Sequence, residues 1–281
     1  MQSATLVDWL AITYKWGSLP EHTRGLDHSA VDRILLWLYL QPEEFSLDKA
    51  RHGYVMGLKA KDTVTVYLSE PGSEMGVHVV YPGSALTPGR TRQILRHMAA
   101  HQGKCTRIDL AVDIKDGLLT PDYLRGEYVN GLYEGRQREW ALMTGGKGAT
   151  LYIGSRSSEK YLRIYDKAAQ MHEDGAWLRI ELECKGEAAK AGAWLMRSDG
   201  NAAIPEIING FVKFKTREWV DAMGECANMD ALKGEKKMTD TKRWLLEQIA
   251  PILARIARDN PELWEELGNE VKRLMVDNDN E

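Results

Sequence analysis

The 281-residue chain is short of several things, and each shortage excludes something. No apolar run reaches the roughly 18 residues that a membrane span requires. Its cysteines, Cys105, Cys184 and Cys226, form an odd set with no two at metal-ligand spacing. That excludes a thiolate zinc site and fits a reduced, cytoplasmic protein without disulfides. Met1 to Trp16 has no basic start and carries Asp8 inside its apolar part, which argues against a secretory signal. Gly145-Gly146-Lys147-Gly148 leads into no helix and has no Ser or Thr after the lysine, so it is not a phosphate loop. No internal repeat and no low-complexity tract is visible. The formal net charge is only -4, which speaks mildly against nucleic acid as a partner.

What is present is ordinary in bulk and uneven in detail. A hydrophobic content of 43% and a charged content of 28% fit a soluble globular protein with a sizeable core. The length suits one large domain or a domain with an appendage. From Thr87 to Arg107 stand five Lys/Arg (Arg90, Arg92, Arg96, Lys104 and Arg107), two His and no acid. From Asp259 to Glu281 eight acids face two bases, and without that tail the remainder is at +2. A basic segment with acid placed at the far end is compatible with DNA.

Periodicity gives the order of elements. Val7–Lys15 reads as a strand and Leu26–Leu40 as a helix. A meander of three strands follows over Tyr54–Tyr81, then a basic helix over Thr87–His101. Cys105–Ile114 is a strand and Thr120–Val129 a helix. Arg138–Met143, Leu151–Gly154, Tyr161–Asp166 and Trp177–Lys185 are further strands, and the chain is then mostly helical. This predicts an α+β fold: a mostly antiparallel sheet with helices on one face and an open polar groove on the other. Residues 1–228 form the main domain, 229–238 a linker and 239–281 a C-terminal helical hairpin.

Three strands alternate in a way that carries chemistry. Arg107, Asp109 and Asp113 share one face against Ile108, Leu110 and Val112. Tyr161, Arg163, Tyr165 and Lys167 share another against Leu162 and Ile164. Arg179, Glu181, Glu183 and Lys185 stand against Ile180, Leu182 and Cys184. A period of two puts each set on one side of a sheet. For any single strand, a salt-bridged solvent face accounts for the pattern. Three together with a tyrosine point to a site. Converging carboxylates can hold a hard divalent cation, and a tyrosine beside it can attack a phosphodiester.

CTRIDLAVDI (105–114), TLYIGSRSSEKYLRIYDKAAQ (150–170) and WLRIELECKGEA (177–188) resemble the replication initiation factor family. These are the Rep-trans type rolling-circle initiators of small plasmids and filamentous phages. VDWLAITYK (7–15), GVHVVYPGSAL (76–86) and NGFVKFKTREW (209–219) extend the likeness across Val7 to Trp219. The acidic C-terminal hairpin lies outside it.

The resemblance implies a nick in one strand of an origin, with a 5′-phosphotyrosine link, a free 3′-OH and later rejoining of ends. The matching tyrosine is Tyr165, with Tyr152 and Tyr161 as competitors. Asp109 and Glu181 become the leading ligands for Mg²⁺ or Mn²⁺, Asp113 the next, and Glu183 a weaker one. Arg163, Lys167, Arg179 and Lys185 would hold phosphate oxygens or stabilise developing charge. Arg90, Arg92, Arg96 and Lys104 of the basic segment, Arg156 and Lys160 of the 155–160 loop, and Lys185 would contact DNA. Single-stranded or supercoiled origin DNA, a host helicase and a second copy are the implied partners. A sister group of nickases holds its metal with a His-hydrophobe-His pair. That pair is missing here, so His78 reads as structural. Two rivals stay open: a DNA-binding regulator of the same fold that does not cut, and a metal-dependent phosphoesterase that uses water. The sequence argues against a tyrosine recombinase, because no Arg…His-x-x-Arg pattern precedes a C-terminal tyrosine.

Overall fold

The computed structural model describes residues 3–61, 63–146, 148–224 and 250–277. They belong to two units, 1–234 and 235–281. Cys226, the expected linker at 229–238 and the helix start at Thr239-Asp240 lie outside the described residues.

Strand β1 is Ser3–Tyr14. Helix α1, His28–Trp37, follows, and the Asp27 side chain caps it by accepting from the Ala30 N–H. Four strands then run back and forth: β2 Phe45–Asp48, β3 Met56–Ala60, β4 Thr65–Leu68 and β5 Val77–Pro82. The last returns to pair antiparallel with β1. Helix α2, Pro88–Ala100, starts at a Thr87 cap with proline in its first turn.

The chain now does much the same again. Strand β6 is Lys104–Ile114, and helix α3 is Pro121–Val129. Short β7 is Tyr133–Gly135, and β8 Trp140–Gly145, β9 Gly148–Ile153 and β10 Lys160–Asp166 follow. One turn of helix, α4 Lys167–Met171, leads to β11, Leu178–Lys185, which pairs antiparallel with β6. Helix α5, Gly186–Asp199, closes the second round. Then come α6 Ile204–Asn209, β12 Val212–Phe214 and α7 Arg217–Met223.

The ten-stranded sheet has the order β2-β3-β4-β5-β1-β6-β11-β10-β9-β8. Its two central strands, β1 and β6, are antiparallel. On each side of that seam lies the same device: a long strand, a helix, a four-strand meander closing on the long strand, and a second helix. The sequence shows no internal repeat, yet the topology has one. The reason is that the halves share a strand order while most of their polar-face residues differ. A short trace survives as Leu10-Ala11-Ile12-Thr13 in β1 and Leu110-Ala111-Val112-Asp113 in β6.

Helices cover one face of this sheet. The residues turned to them (Leu10, Ile12, Ile108, Leu110, Val112, Ile164, Ile180 and Leu182) are fully or almost fully buried. Gly192 lets α5 lie close, since a Cβ there would stand 3.3 Å from Ile108. Helix α2 packs on β1 and α5, and α6 on β1 and β6. Burying such a row contributes about 1.5–3 kcal/mol per large aliphatic side chain, so the alternation of these strands is fixed by the core. Trp219 of α7 is fully buried, with its indole N–H donating to Asn209 Oδ1 at 2.8 Å.

In the second unit, α8 Ala250–Asp259 and α9 Pro261–Asp277 pack as a helical hairpin. Asn260 lies between them and caps α9, its Oδ1 accepting from the Leu263 N–H at 3.2 Å. No helix among the described residues is long and apolar enough to cross a membrane.

Candidate active site

The face away from the helices holds the polar set of β6, β11 and β10. Register fixes who meets whom. Asp109 stands opposite Glu183, Ala111 opposite Glu181, and Asp113 opposite Arg179. Across the next seam, Tyr161 faces Glu183, Arg163 faces Glu181, and Tyr165 faces Arg179. The side chains sort into two linked clusters.

The first is built on Asp109 and Glu181. The Arg107 guanidinium donates to both oxygens of Asp109, at 2.8 and 2.6 Å, and reaches Glu183 at 2.8 Å. Arg163 bridges Asp109, at 3.4 Å, and Glu181. The Tyr165 hydroxyl donates to the other Glu181 oxygen at 2.9 Å. Lys185 pairs with Glu183 at 3.1 Å. The second cluster is built on Arg179. It donates to both oxygens of Asp113, at 2.7 and 2.8 Å, and to Asp8 at 2.6 Å.

Asp8 was not foreseen, for a clear reason. Strict alternation along β1 puts it with Leu6 and Leu10 on the helix side. A bulge between Val7 and Trp9 turns it over to the polar face. Gly83 makes room for it, since a Cβ there would stand 2.8 Å from Asp8 Oδ1. Arg107 was also left out of the expected site, although its place beside Asp109 was legible in the Arg-x-Asp spacing.

Burial sets the electrostatics. Asp109, Glu181 and Glu183 are 1%, 2% and 7% exposed. The arginines close over them, so the expected open groove is filled by guanidinium groups at this point. Five carboxylates (Asp8, Asp109, Asp113, Glu181, Glu183) meet four paired cations (Arg107, Arg163, Arg179, Lys185). Burial pushes the Glu181 carboxyl up to about 7 against the pull of Arg163, with Asp8 and Asp109 adding to the rise. Burial also lifts Asp109, opposed by Arg107. The Tyr165 phenol is held well above its usual range by burial and by the Glu181 charge. Arg163 Nε is buried without a partner, which leaves one donor available.

Several expectations need correction. Asp113 does not join Asp109: four residues of strand separate them by about 13 Å, and Arg179 claims Asp113. Glu183 stands directly across from Asp109 instead. Lys167 does not continue the β10 face. Asp166 caps α4, accepting from the Ala169 N–H, and Lys167 is that helix's first residue, bonded to Gln170 at 2.7 Å. Its ammonium still lies 5.8 Å from the Tyr165 ring centroid. Arg90, Arg92 and Arg96 are carried by α2 on the helix-covered side, because Ile94 and Leu95 turn inward there. Lys104 lines a 360 Å³ cleft with Lys190, Trp194 and Arg197 of α5. Lys160 points to the Phe211 ring at 5.6 Å. Arg156 is exposed in the β9–β10 turn. Of the seven basic residues expected at DNA, Lys185 alone stands in the cluster. Arg90, Arg92 and Arg96 are near Asp109 in sequence but not on its face, since α2 reaches β6 by crossing from one layer to the next.

Carboxylate oxygens suit a hard cation, and Asp109, Glu181 and Glu183 supply them. Each is turned onto a guanidinium, however, and among the described residues no three His, Cys, Asp or Glu converge as a metal-binding group.

The profile of the replication initiation factor family matches residues 103–263, which span β6, the whole polar cluster but Asp8, and the start of α9. The chain belongs to the replication initiation factor family. The family match runs further than the sequence likeness suggested, entering the C-terminal hairpin. A putative DNA relaxase NicK of Bacillus subtilis (strain 168) is 26% identical over 297 aligned positions, covering 90% of this chain and 80% of the relaxase. The structure of a rolling circle replication initiator protein from Geobacillus stearothermophilus shares the fold. Its TM-score is 0.64 at 20% identity, over 82% of this chain and 91% of the other. This family member thus has the fold of an initiator, with Tyr165, Asp109 and Glu181 gathered on one face of its sheet.

Proposed function

We propose that this protein nicks one strand of DNA at a replication origin by the rolling-circle mechanism, using Tyr165. The observation that carries the reading is the Tyr165 hydroxyl donating to Glu181 inside an arginine-lined cluster. Attack by the phenolic oxygen on the scissile phosphorus forms a tyrosine–phosphate bond and breaks the bond to O3′, which ends as a free 3′-OH. Glu181 accepts the phenol's hydrogen bond and is placed to take its proton. The partly exposed Arg163 guanidinium would meet a phosphate oxygen. Arg179 acts at one remove: it stands across from Tyr165 and holds Asp8 and Asp113. The ester keeps the bond energy, so reversal rejoins ends.

A divalent cation, Mg²⁺ or Mn²⁺, belongs to this reading. Asp109, Glu181 and Glu183 are the residues that would hold it, provided that they turn from Arg107 and Arg163, with Glu183 in the place first given to Asp113. Bound there, it would supply Lewis-acid polarisation of the phosphoryl oxygen. Tyr161 is the weaker candidate nucleophile, since it stacks on Tyr152 at 5.6 Å and has no carboxylate bond. The nicking function is assigned to residues 1–228. Origin DNA is the partner.

The test is incubation with supercoiled DNA carrying the candidate origin and Mg²⁺, followed by a denaturing gel. A covalent adduct mapped by peptide mass to Tyr165, and lost in Tyr165→Phe, is the expected result. An adduct on Tyr161 moves the nucleophile. Nicking without an adduct replaces the tyrosine by water.

A further inference from the structure

The first half of the sheet carries a set of rings that the nicking reading does not use. They lie on the same face as Asp109. Trp9 pairs with Asp109 across the central seam, and the Arg107 guanidinium sits 5.2 Å from its ring centroid. Four residues on, Thr13 donates or accepts at 2.8 Å with His78 Nδ1. The His78 ring is stacked with Tyr54, at 5.9 Å and 25°, and with Tyr67, at 6.3 Å and 22°. Trp9, Tyr54, Tyr67 and His78 are all neither buried nor fully exposed.

Topology places this ring set where the other half has its tyrosine. When the runs Leu10–Thr13 and Leu110–Asp113 are aligned, register carries one row onto the other. Thr13 meets His78 and His78 meets Tyr67. Asp113 meets Arg179 and Arg179 meets Tyr165. The first-half face differs in charge. On β3, β4, β5 and β1 it shows Gly57, Lys59, Thr65, Tyr67, His78, Val80, Trp9, Ala11 and Thr13, and its acids are Asp48 at the β2 edge, across from Gly57, and the bulged Asp8, which turns to Arg179. Burial keeps the His78 imidazole neutral, with its pKa lowered to about 4.

We propose that this face is a platform for unpaired DNA, which leaves the nicking cluster, crosses the β1–β6 seam and lays bases against Trp9 and the Tyr54–Tyr67–His78 rings. Flat neutral rings accept any base by stacking, whereas the exposed Lys59 supplies charge for a phosphate. A duplex would hide its bases from such rings. The platform therefore takes the single strand that flanks the scissile phosphate, and this rests on the nicking reading above.

The probe is fluorescein-labelled dT30, read by anisotropy, with a mixed-sequence duplex beside it and the Tyr165 adduct scored in parallel. Wild type binds dT30 more tightly than the duplex. Tyr67→Leu, which keeps apolar bulk and loses the ring, raises Kd for dT30 roughly 5- to 150-fold, the loss of one base stack. Tyr67→Phe stays within about twofold. In the unaltered protein, irradiation with 5-iododeoxyuridine-substituted dT30 yields crosslinks on Trp9, Tyr54, Tyr67 or His78. Wild-type affinity in Tyr67→Leu, crosslinks confined to other residues, or preference for the duplex overturns the platform. If the Tyr165 adduct persists in any of those cases, the nicking reading stands alone. Loss of both the adduct and dT30 binding removes the two together.

Discussion

The two halves of the sheet share a strand order and differ in what they show to one side. Thr13, His78 and Tyr67 make a row across β1, β5 and β4. Asp113, Arg179 and Tyr165 make the matching row across β6, β11 and β10. Toward the helices the halves agree: Leu10, Ile12, Val66, Val79, Leu110, Val112, Ile164 and Ile180 are all buried aliphatics. The architecture is therefore carried by one side of each strand. The other side is free to hold charge in one half and rings in the other without altering the sheet.

That contrast can be broken at its centre first. Tyr165→Phe should abolish the covalent adduct on origin DNA, whereas Tyr67→Phe should leave it at wild-type level. Denaturing gels of the two variants side by side decide this, and an adduct surviving in Tyr165→Phe would end the assignment. Next in size, Glu181→Gln should lower the nicking rate by about 10²- to 10⁴-fold, the usual worth of a positioned proton acceptor, with dT30 binding kept. An unchanged rate would strip Glu181 of its role.

The third test concerns stability. Arg179→Ala leaves Asp8 and Asp113 facing each other without their cation and should cost about 3–5 kcal/mol in urea unfolding. His78→Ala, at the corresponding place in the other half, loses one hydrogen bond to Thr13 and should cost nearer 1 kcal/mol from that bond. Equal costs would erase the distinction. The smallest effect is one of pH. His78 is neutral when folded, because burial lowers its pKa from 6.5 to about 4. The unfolded chain takes up that proton below pH 6.5, so the stability linked to His78 is complete above 6.5 and is lost as pH falls toward 4. Between pH 7.5 and 5.5 this amounts to about 1 kcal/mol, and His78→Gln should remove that share of the acid sensitivity.

Much of the second half was legible because its strands obey a strict rule. Ile108, Leu110 and Val112, or Ile180, Leu182 and Cys184, must all be buried, so Asp109 and Glu181 must face the other way. The fold class and the meeting of Tyr165 with Asp109 and Glu181 on one face follow from that. Features that depend on a single displaced residue or on layer choice were not legible. The bulge at Asp8 breaks alternation without leaving a mark in composition. The side of the sheet on which α2 packs is decided by Ile94 and Leu95 meeting β1 and α5, which its basic residues conceal. β2, β7 and α4 are too short to display a period. The doubled topology escaped notice because only Leu-Ala-Ile-Thr and Leu-Ala-Val-Asp keep its imprint.

The seam between β1 and β6 has a further consequence. Each of these strands offers its partner the same kind of edge, so a polypeptide of about a third of this length could mate with its own twin along it and produce the same ten-stranded sheet. In the present chain only His101, Gln102 and Gly103 separate the end of α2 from the start of β6. Covalent fusion through so brief a tether would secure both copies at equal stoichiometry and release one of them from repeating the work of the other.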